Sequence, residues 1–285
     1  MRRSDLDIIC NMPSRPTRLV SSVAMPGAWS ILLTLCVALA CGTIPPLRGK
    51  IEVGRESFAV FVGGRGPNGD LYAVRADGGP AIPITFTTVA ELRPALSPDG
   101  SQVAFLRGRS LRDSTPASLW VMNLVNGAER ELRLPKGAAA PEQLAWSRDG
   151  SALIVRAGSA WYRMTAPPGR PAPVQLPVDE QAAAESSLAV LVGDPVFARV
   201  VPCKRPEDLC VIPRSGKEAI LAQAARDPVR WGPDSVAFFV GDILQIRPLS
   251  RGRPRLLNWS EVPPMPRQMT FFQAQEQKTA RGDQM

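Results

Sequence analysis

The 285 residues include no histidine, and this restricts the chemistry open to the chain. Ser-His-Asp and Cys-His catalysis, His-bound metals and the commonest general base near neutral pH are excluded. Carboxylates remain. Glu142 and Asp227 each stand five positions ahead of a residue that opens a turn, Ser147 and Gly232, while Glu91 is one position out of that spacing before Ser97. If the strands that hold them are equivalent, these acids approach one end of a common axis. Two of them about 5 to 10 Å apart would suit glycoside hydrolysis; solvated rim charges are the alternative. Asp99, Asp149 and Asp234 lie inside turns, where capping of their own backbone explains them better than metal ligation. No metal site and no cofactor is expected. Trp120, Trp146 and Trp231 stand beside the same turns and read as packing between sheets rather than as ligand-stacking platforms. Cys203 and Cys210, with six residues between them, are spaced to staple a hairpin; two reduced thiols are the alternative, and zinc would need two further ligands.

Positioning these residues requires strands and turns in a fixed order, and Ala95 to Phe105 supplies the pattern: Ala-Leu-Ser-Pro-Asp-Gly-Ser-Gln-Val-Ala-Phe. Pro98 pre-sets φ, Asp99 bonds its downstream backbone, and Gly100 accepts the positive φ that closes a hairpin. Variants return at Leu144 to Val155 and at Val229 to Phe239, the last without its Gly. Asp99 and Asp149 are 50 residues apart, and Asp149 and Asp234 are 85 apart. That gives a unit of roughly 42 to 50 residues, the length of a four-stranded propeller blade. Ser118 to Leu124, the Asn126-Gly127 turn and Glu129 to Leu134 complete four strands in one unit.

Leu96-Ser97-Pro98-Asp99-Gly100 with Val103-Ala104-Phe105, followed by Leu119-Trp120-Val121-Met122 and Asn126-Gly127, resembles the WD-type repeat of the TolB-like propeller family. The resemblance implies a periplasmic or surface propeller that binds partners. Modules of this family also occur beside α/β-hydrolase domains in some peptidases, and no such domain fits in this chain.

The ends of the chain read differently. In residues 1–41, Arg15 and Arg18 precede an uncharged stretch whose apolar heart, Ala28 to Ala40, has 13 residues, short against the roughly 20 of a spanning helix. It reads as an export signal or anchor helix. Its end, Ala38-Leu39-Ala40-Cys41, resembles a bacterial lipoprotein box, in which the cysteine is lipidated; an uncleaved membrane anchor and simple secretion are the alternatives. Gly42 resembles the second residue of lipoproteins sent to an outer membrane, and residues 42–50 read as a tether. The expected fold is all-β: a propeller of about five four-stranded blades over 51–260, or six if Ala166 to Ser187 or the tail forms strands. Ring closure is expected from Ile51 to Val53, and 261–285, polar and Gln-rich, is expected to be a disordered tail, with docking of Phe271-Phe272 back onto the ring as the alternative. The net charge is +8, with Arg247, Arg251, Arg253 and Arg255 forming a basic rim suited to anionic head groups, an envelope polymer or an acidic partner. Lys-rich runs with interleaved aromatics are missing, so nucleic acid is not expected. The expectation is therefore a monomeric, lipid-anchored binding module of the bacterial cell envelope whose partner is a protein or envelope polymer. A carbohydrate-active enzyme using Glu91, Glu142 or Asp227 is the alternative.

Overall fold

Strands buried on both faces read as unbroken apolar runs, and Phe58-Ala59-Val60-Phe61-Val62 is such a run, buried along its whole length. Its two faces serve two different cores. Phe58, Val60 and Val62 pack with Leu96, Val103, Phe105 and Met122, whereas Ala59 and Phe61 pack with Trp231, Ala237, Phe239 and Leu244. The same alternation recurs in the other central strands. Val103 and Phe105 face one way and Ala104 and Leu106 the other, toward Leu144, Leu153 and Val155; Val236 and Phe238 face Leu209 and Leu221, opposite to Ala237 and Phe239. With a side-chain period of two, the first, second and fifth sheets are each sandwiched between two neighbours, the packing expected in a ring of blades.

The computed structural model describes residues 46–64, 68–109, 118–147, 149–165, 174–175, 198–205, 207–213, 217, 219–232, 234–249 and 253–274. The first blade holds β1 (Phe58–Gly63), β2 (Asp70–Arg75) and β4 (Ile82–Pro83), with β3 (Gly79–Pro80) just before the last. The second is β5 (Ala90–Leu96), β6 (Gln102–Gly108), β7 (Ser118–Asn123) and β8 (Glu129–Leu132). The third is β9 (Pro141–Trp146), β10 (Ala152–Ala157), β11 (Ala160–Thr165) and β12 (Val174–Gln175). The fourth shows β13 (Ala198–Pro202), β14 (Leu209–Pro213) and β15 (Ala219–Ala222), and the fifth β16 (Ala225–Arg230), β17 (Ser235–Val240), β18 (Ile243–Pro248) and β19 (Arg255–Leu256). After them come β20 (Trp259–Ser260) and β21 (Arg267–Phe272). Within each blade sheet neighbouring strands are antiparallel. The fold is a β-propeller, with five blade sheets among the described residues. The 1–41 segment, Cys41 and most of Ala166 to Ser187 lie outside those residues.

The structure corrects two expectations. Ring closure does not come from Ile51 to Val53, which form no strand. β21 instead pairs with β1 as the first strand of the first blade, so strands from both ends of the chain share one sheet. The segment before β1 still packs: Leu47 and Ile51 are buried in the core between the first two blades. Residues 261–285 are accordingly not a uniform tail, because β21 lies inside them and the propeller extends to Phe272. Composition hid this strand: Arg267, Gln268 and Thr270 are polar, while Met269 and Phe272 are its buried anchors. A second tie is the parallel pairing of β20 with β3, which fastens the end of the fifth blade to the first.

The turn motif forms as its residue types require. Asp99 accepts from the Ser97 hydroxyl at 2.5 Å and the Ser101 hydroxyl at 2.7 Å, and the Ser97 hydroxyl oxygen accepts from the Gln102 amide at 2.9 Å. Ser147, Asp149, Ser151 and Ala152 repeat this set at 2.6, 2.8 and 2.9 Å. Hydrogen bonds from Ser147 and Ser151 hold the Asp149 carboxyl down at about 2, so both aspartates act as turn caps.

Candidate functional site at the axial strands

β21 packs beside β5 and β16, and β5 beside β9, so the first strands of four blades adjoin one another around the axis of the ring. Each carries one extra residue near its start. Opposite β6 the register slips between Leu92 and Ala95, opposite β17 between Arg226 and Val229, opposite β1 between Arg267 and Thr270, and opposite β10 between Pro141 and Gln143. In three of these bulges a non-glycine residue sits in the left-handed region: Arg93 at φ 52°, Asp227 at φ 52° and Gln268 at φ 51°. Such residues cost energy and persist only where the surroundings over-determine them. Pro94 and Pro228 follow two of them, and proline disfavours the ordinary helical region for the residue before it. The bulges also bond across blades, since the Gln268 side-chain oxygen accepts from the Arg93 amide at 2.8 Å. Bulges re-aim side chains, and here they fix polar groups at corresponding places around the axis.

The three candidate acids stand in different surroundings. Glu91, expected at an open mouth, is fully buried. Its Oε1 accepts from Thr87 Oγ1 at 2.8 Å and from Arg107 Nε at 3.1 Å, while Oε2 has no partner among the described residues. Burial pushes its carboxyl up, against the Thr87 and Arg107 hydrogen bonds that pull it down. Glu142 is exposed and pairs with Arg156 Nη2 at 3.2 Å. Asp227 is half-buried in its bulge. Glu142 and Asp227 are not equivalent positions: the third turn closes by Trp231 bonding Ser235, one residue shorter than Ser97 to Gln102 or Ser147 to Ala152. Counting back from the turn therefore shifts Asp227 by one, and strand pairing aligns it with Arg93 and Gln268 instead.

The basic rim is also divided. Arg247 Nη1 donates to the Leu221 carbonyl, tying the fifth blade to the fourth. Arg253 and Arg255 are exposed, and Arg251 lies outside the described residues. Sequence reasoning missed Arg226 and Arg267, the basic pair of the axial strands. Arg226 Nη2 donates to the Gly241 carbonyl at 2.7 Å, its guanidinium lies 5.4 Å from the centre of the Phe239 ring, and Asp242 is 3.7 Å away. The only sequence signal for Arg226 was its place beside Asp227; Arg267 had none, because its strand was read as tail.

Cys203 and Cys210 are joined, with their Cα atoms 5.1 Å apart. The bridge closes the β13–β14 hairpin, whose tip holds the start of β16: the Asp208 carboxylate accepts from the Ala224 amide at 3.0 Å and the Glu207 carbonyl from the Ala225 amide at 2.8 Å. A short-loop disulfide contributes about 2 kcal/mol. Replacing both cysteines by serine should lower the unfolding free energy by that amount, read as a shift in the urea midpoint. The wild-type protein should show the linked peptide by mass spectrometry and move to the variant's midpoint in reductant. Free thiols in the untreated protein would remove the staple from the account.

No protein-family model and no curated protein matches the chain. Among solved structures it is similar to TolB from Acinetobacter baumannii, at 15% identity over 79% of this chain and 68% of that one, with a TM-score of 0.34. It is also similar to the putative TolB from Agrobacterium tumefaciens, at 13% identity over 76% and 69% of the two chains, TM-score 0.30. For the β-propeller domain of the Trilobed protease from Pyrococcus furiosus the identity is 14% over 70% of this chain and 64% of that one, TM-score 0.32. The assignment of a β-propeller rests on the order of this chain's own sheets and on the cores shared between its blades.

Proposed function

We propose that the chain is a monomeric binding module of the bacterial cell envelope: a lipid-anchored propeller that offers its axial end to a protein or envelope polymer. The observation that carries this is the set of bulges that hold Arg93, Asp227 and Gln268 at matching places on adjoining strands, with Arg226 and Arg267 beside two of them. A surface that keeps charged groups on strained backbone is suited to recognition. The Cys203–Cys210 disulfide supports an oxidising compartment, and Ala38-Leu39-Ala40-Cys41 supports lipidation there. Two or more acyl chains would hold the domain stably at a membrane where one would be marginal.

Cys41→Ser tests the anchor. The variant should lose incorporation of labelled palmitate and leave the membrane fraction as soluble or uncleaved protein, with its propeller still folded. A variant that is cleaved after Ala40 and still sediments with membrane places the anchor elsewhere. Binding is tested by crosslinking the wild-type protein in intact cells and identifying what it retains. Hydrolysis of a chromogenic glycoside that depends on Glu142 or Asp227 would replace the binding reading with the carbohydrate one.

A further inference from the structure

Within the reading of the axial end as a binding surface, Arg267 has a more specific role. An arginine grips a carboxylate best along the edge formed by Nε and one Nη, where two parallel N–H groups meet two oxygens. The chain itself shows that edge in use: Arg75 Nε and Nη2 donate to the two carboxylate oxygens of Asp77 at 3.0 and 3.1 Å. On Arg267 the same two atoms, Nε and Nη2, are buried and have no hydrogen-bond partner among the described residues. Buried donors without acceptors are costly. Next to it, Arg226 is held by the Gly241 carbonyl and the Phe239 ring, and its Nη1 is likewise buried and unpartnered. Burial and the Arg226 charge both push the Arg267 guanidinium down, and Asp227 acts against them. Asp227 makes no hydrogen bond to Arg267 among the described residues, and Asp242 lies on Arg226 at 3.7 Å. Both side chains reach solvent in part, Arg226 with 40% of its side chain exposed and Arg267 half-buried; the Nε/Nη2 edge itself is covered, so the Arg267 head must turn outward to meet a ligand. Met265, two residues before Arg267 in the chain, is 53% exposed, an apolar surface close in sequence to the charged one.

We propose that the Nε/Nη2 edge of Arg267, with Arg226 as its neighbour, is a carboxylate-binding fork at the axial end, and that its ligand is an acidic peptide segment carrying apolar residues. Asp227 then acts as the internal competitor, a carboxylate close enough to weaken the ligand's charge and not bonded in its place. The proposal rests on the binding-module reading and adds the chemistry of the partner.

The test uses the full-length protein in detergent and a fluorescein-labelled octapeptide that alternates Asp with Leu, followed by anisotropy. The wild type should bind the peptide, with affinity falling as salt rises from about 50 to about 300 mM. Arg267→Gln should weaken binding about tenfold or more, and Arg267→Lys, which keeps the charge and loses the fork, should weaken it nearly as much. Asp227→Asn should tighten it. An octapeptide with Lys in place of Asp should not bind, and succinate should compete only poorly. Equal binding by Arg267→Gln and wild type, or full affinity in Arg267→Lys, overturns the fork. Succinate competing as well as the unlabelled peptide overturns the peptide in favour of a small carboxylate. Arg267-dependent binding to phosphatidylglycerol vesicles without peptide binding overturns it in favour of phosphate. An envelope partner retained equally by wild type and Arg267→Gln sinks the fork and leaves the binding-module reading standing. Peptide binding by a protein that retains no envelope partner does the reverse.

Discussion

Arg107→Ala should destabilise the propeller by about 3 to 5 kcal/mol at neutral pH, the range for removing one partner of a buried ion pair. Arg107 links two carboxylates. Its Nε meets fully buried Glu91 at 3.1 Å, its Nη1 meets Glu129 at 2.7 Å, and its side chain is only 13% exposed. The guanidinium also lies 5.0 Å from the Phe105 ring centre and 4.5 Å from that of Trp120, so truncation removes packing as well as charge. The pH dependence separates the two losses. Burial already holds the Glu91 carboxyl above its ordinary value, so folding favours its protonated form relative to the unfolded chain. The stability this contributes is fully present below the unfolded carboxylate value, about 4.3, and is lost as pH rises through the folded pKa. Without Arg107, two of the influences that pull that pKa down are gone, and it climbs further. The deficit of Arg107→Ala relative to wild type should therefore fall in acid to what the lost packing accounts for and grow toward neutrality, as read by urea unfolding across a pH series. Adding Glu91→Leu to Arg107→Met should recover most of the loss, because a well-packed apolar pair replaces a buried ionic one at little cost. A deficit that does not change with pH would mean that Arg107 acts through packing alone.

What the sequence showed of this fold was what local chemistry controls. Ser97-Pro98-Asp99-Gly100 and Ser147 with Asp149 specify their own hydrogen bonds within five residues, so the turns and the strands on either side were readable. The spacing of those turns then gave the blade. Features that depend on distant partners were not readable. β21 sits in a polar, Gln-rich stretch, and its pairing with β1 joins residues more than two hundred positions apart. The left-handed Arg93, Asp227 and Gln268 are not residues that favour that region as glycine does; two precede proline, and all lie where the chain must gain one residue against its neighbour. The candidate acids are not equivalent positions for a related reason. Their alignment was counted from turns assumed to be equal, and the missing glycine in the third copy shortens that turn by one residue. A one-residue slip in a strand exchanges its faces, which is enough to turn an apparent pair into unrelated positions. Cys203 and Cys210 were legible because a disulfide across a hairpin needs only nearby strands.

Removing β21 should have the largest effect of any single change to the propeller. Its side chains reach both neighbouring cores. Phe272 is buried beside Phe58, with ring centres 5.6 Å apart, Phe271 stacks on Trp231 at 4.1 Å, and Met269 joins the core between the first and fifth blades. Phe272 also covers Gly100, at φ 70°, where an added Cβ would come within 2.8 Å of the ring; the strand thus closes over the turn of the second blade. Phe272→Ala alone should cost about 3 to 5 kcal/mol, the range for deleting a buried aromatic ring. Ending the chain at Pro266 adds the loss of Met269, the Phe271 stack and the whole ladder to β1, and leaves β1 an open edge in the first blade. A domain with a total stability of about 5 to 15 kcal/mol cannot absorb that sum. The truncated protein should show no cooperative urea transition and should bind a dye for exposed apolar surface, and a synthetic peptide of residues 267–274 added in trans should restore the transition. If the truncated chain unfolds cooperatively at the wild-type midpoint, ring closure lies elsewhere, and the segment around Leu47 and Ile51, already packed against the first two blades, becomes the next place to cut.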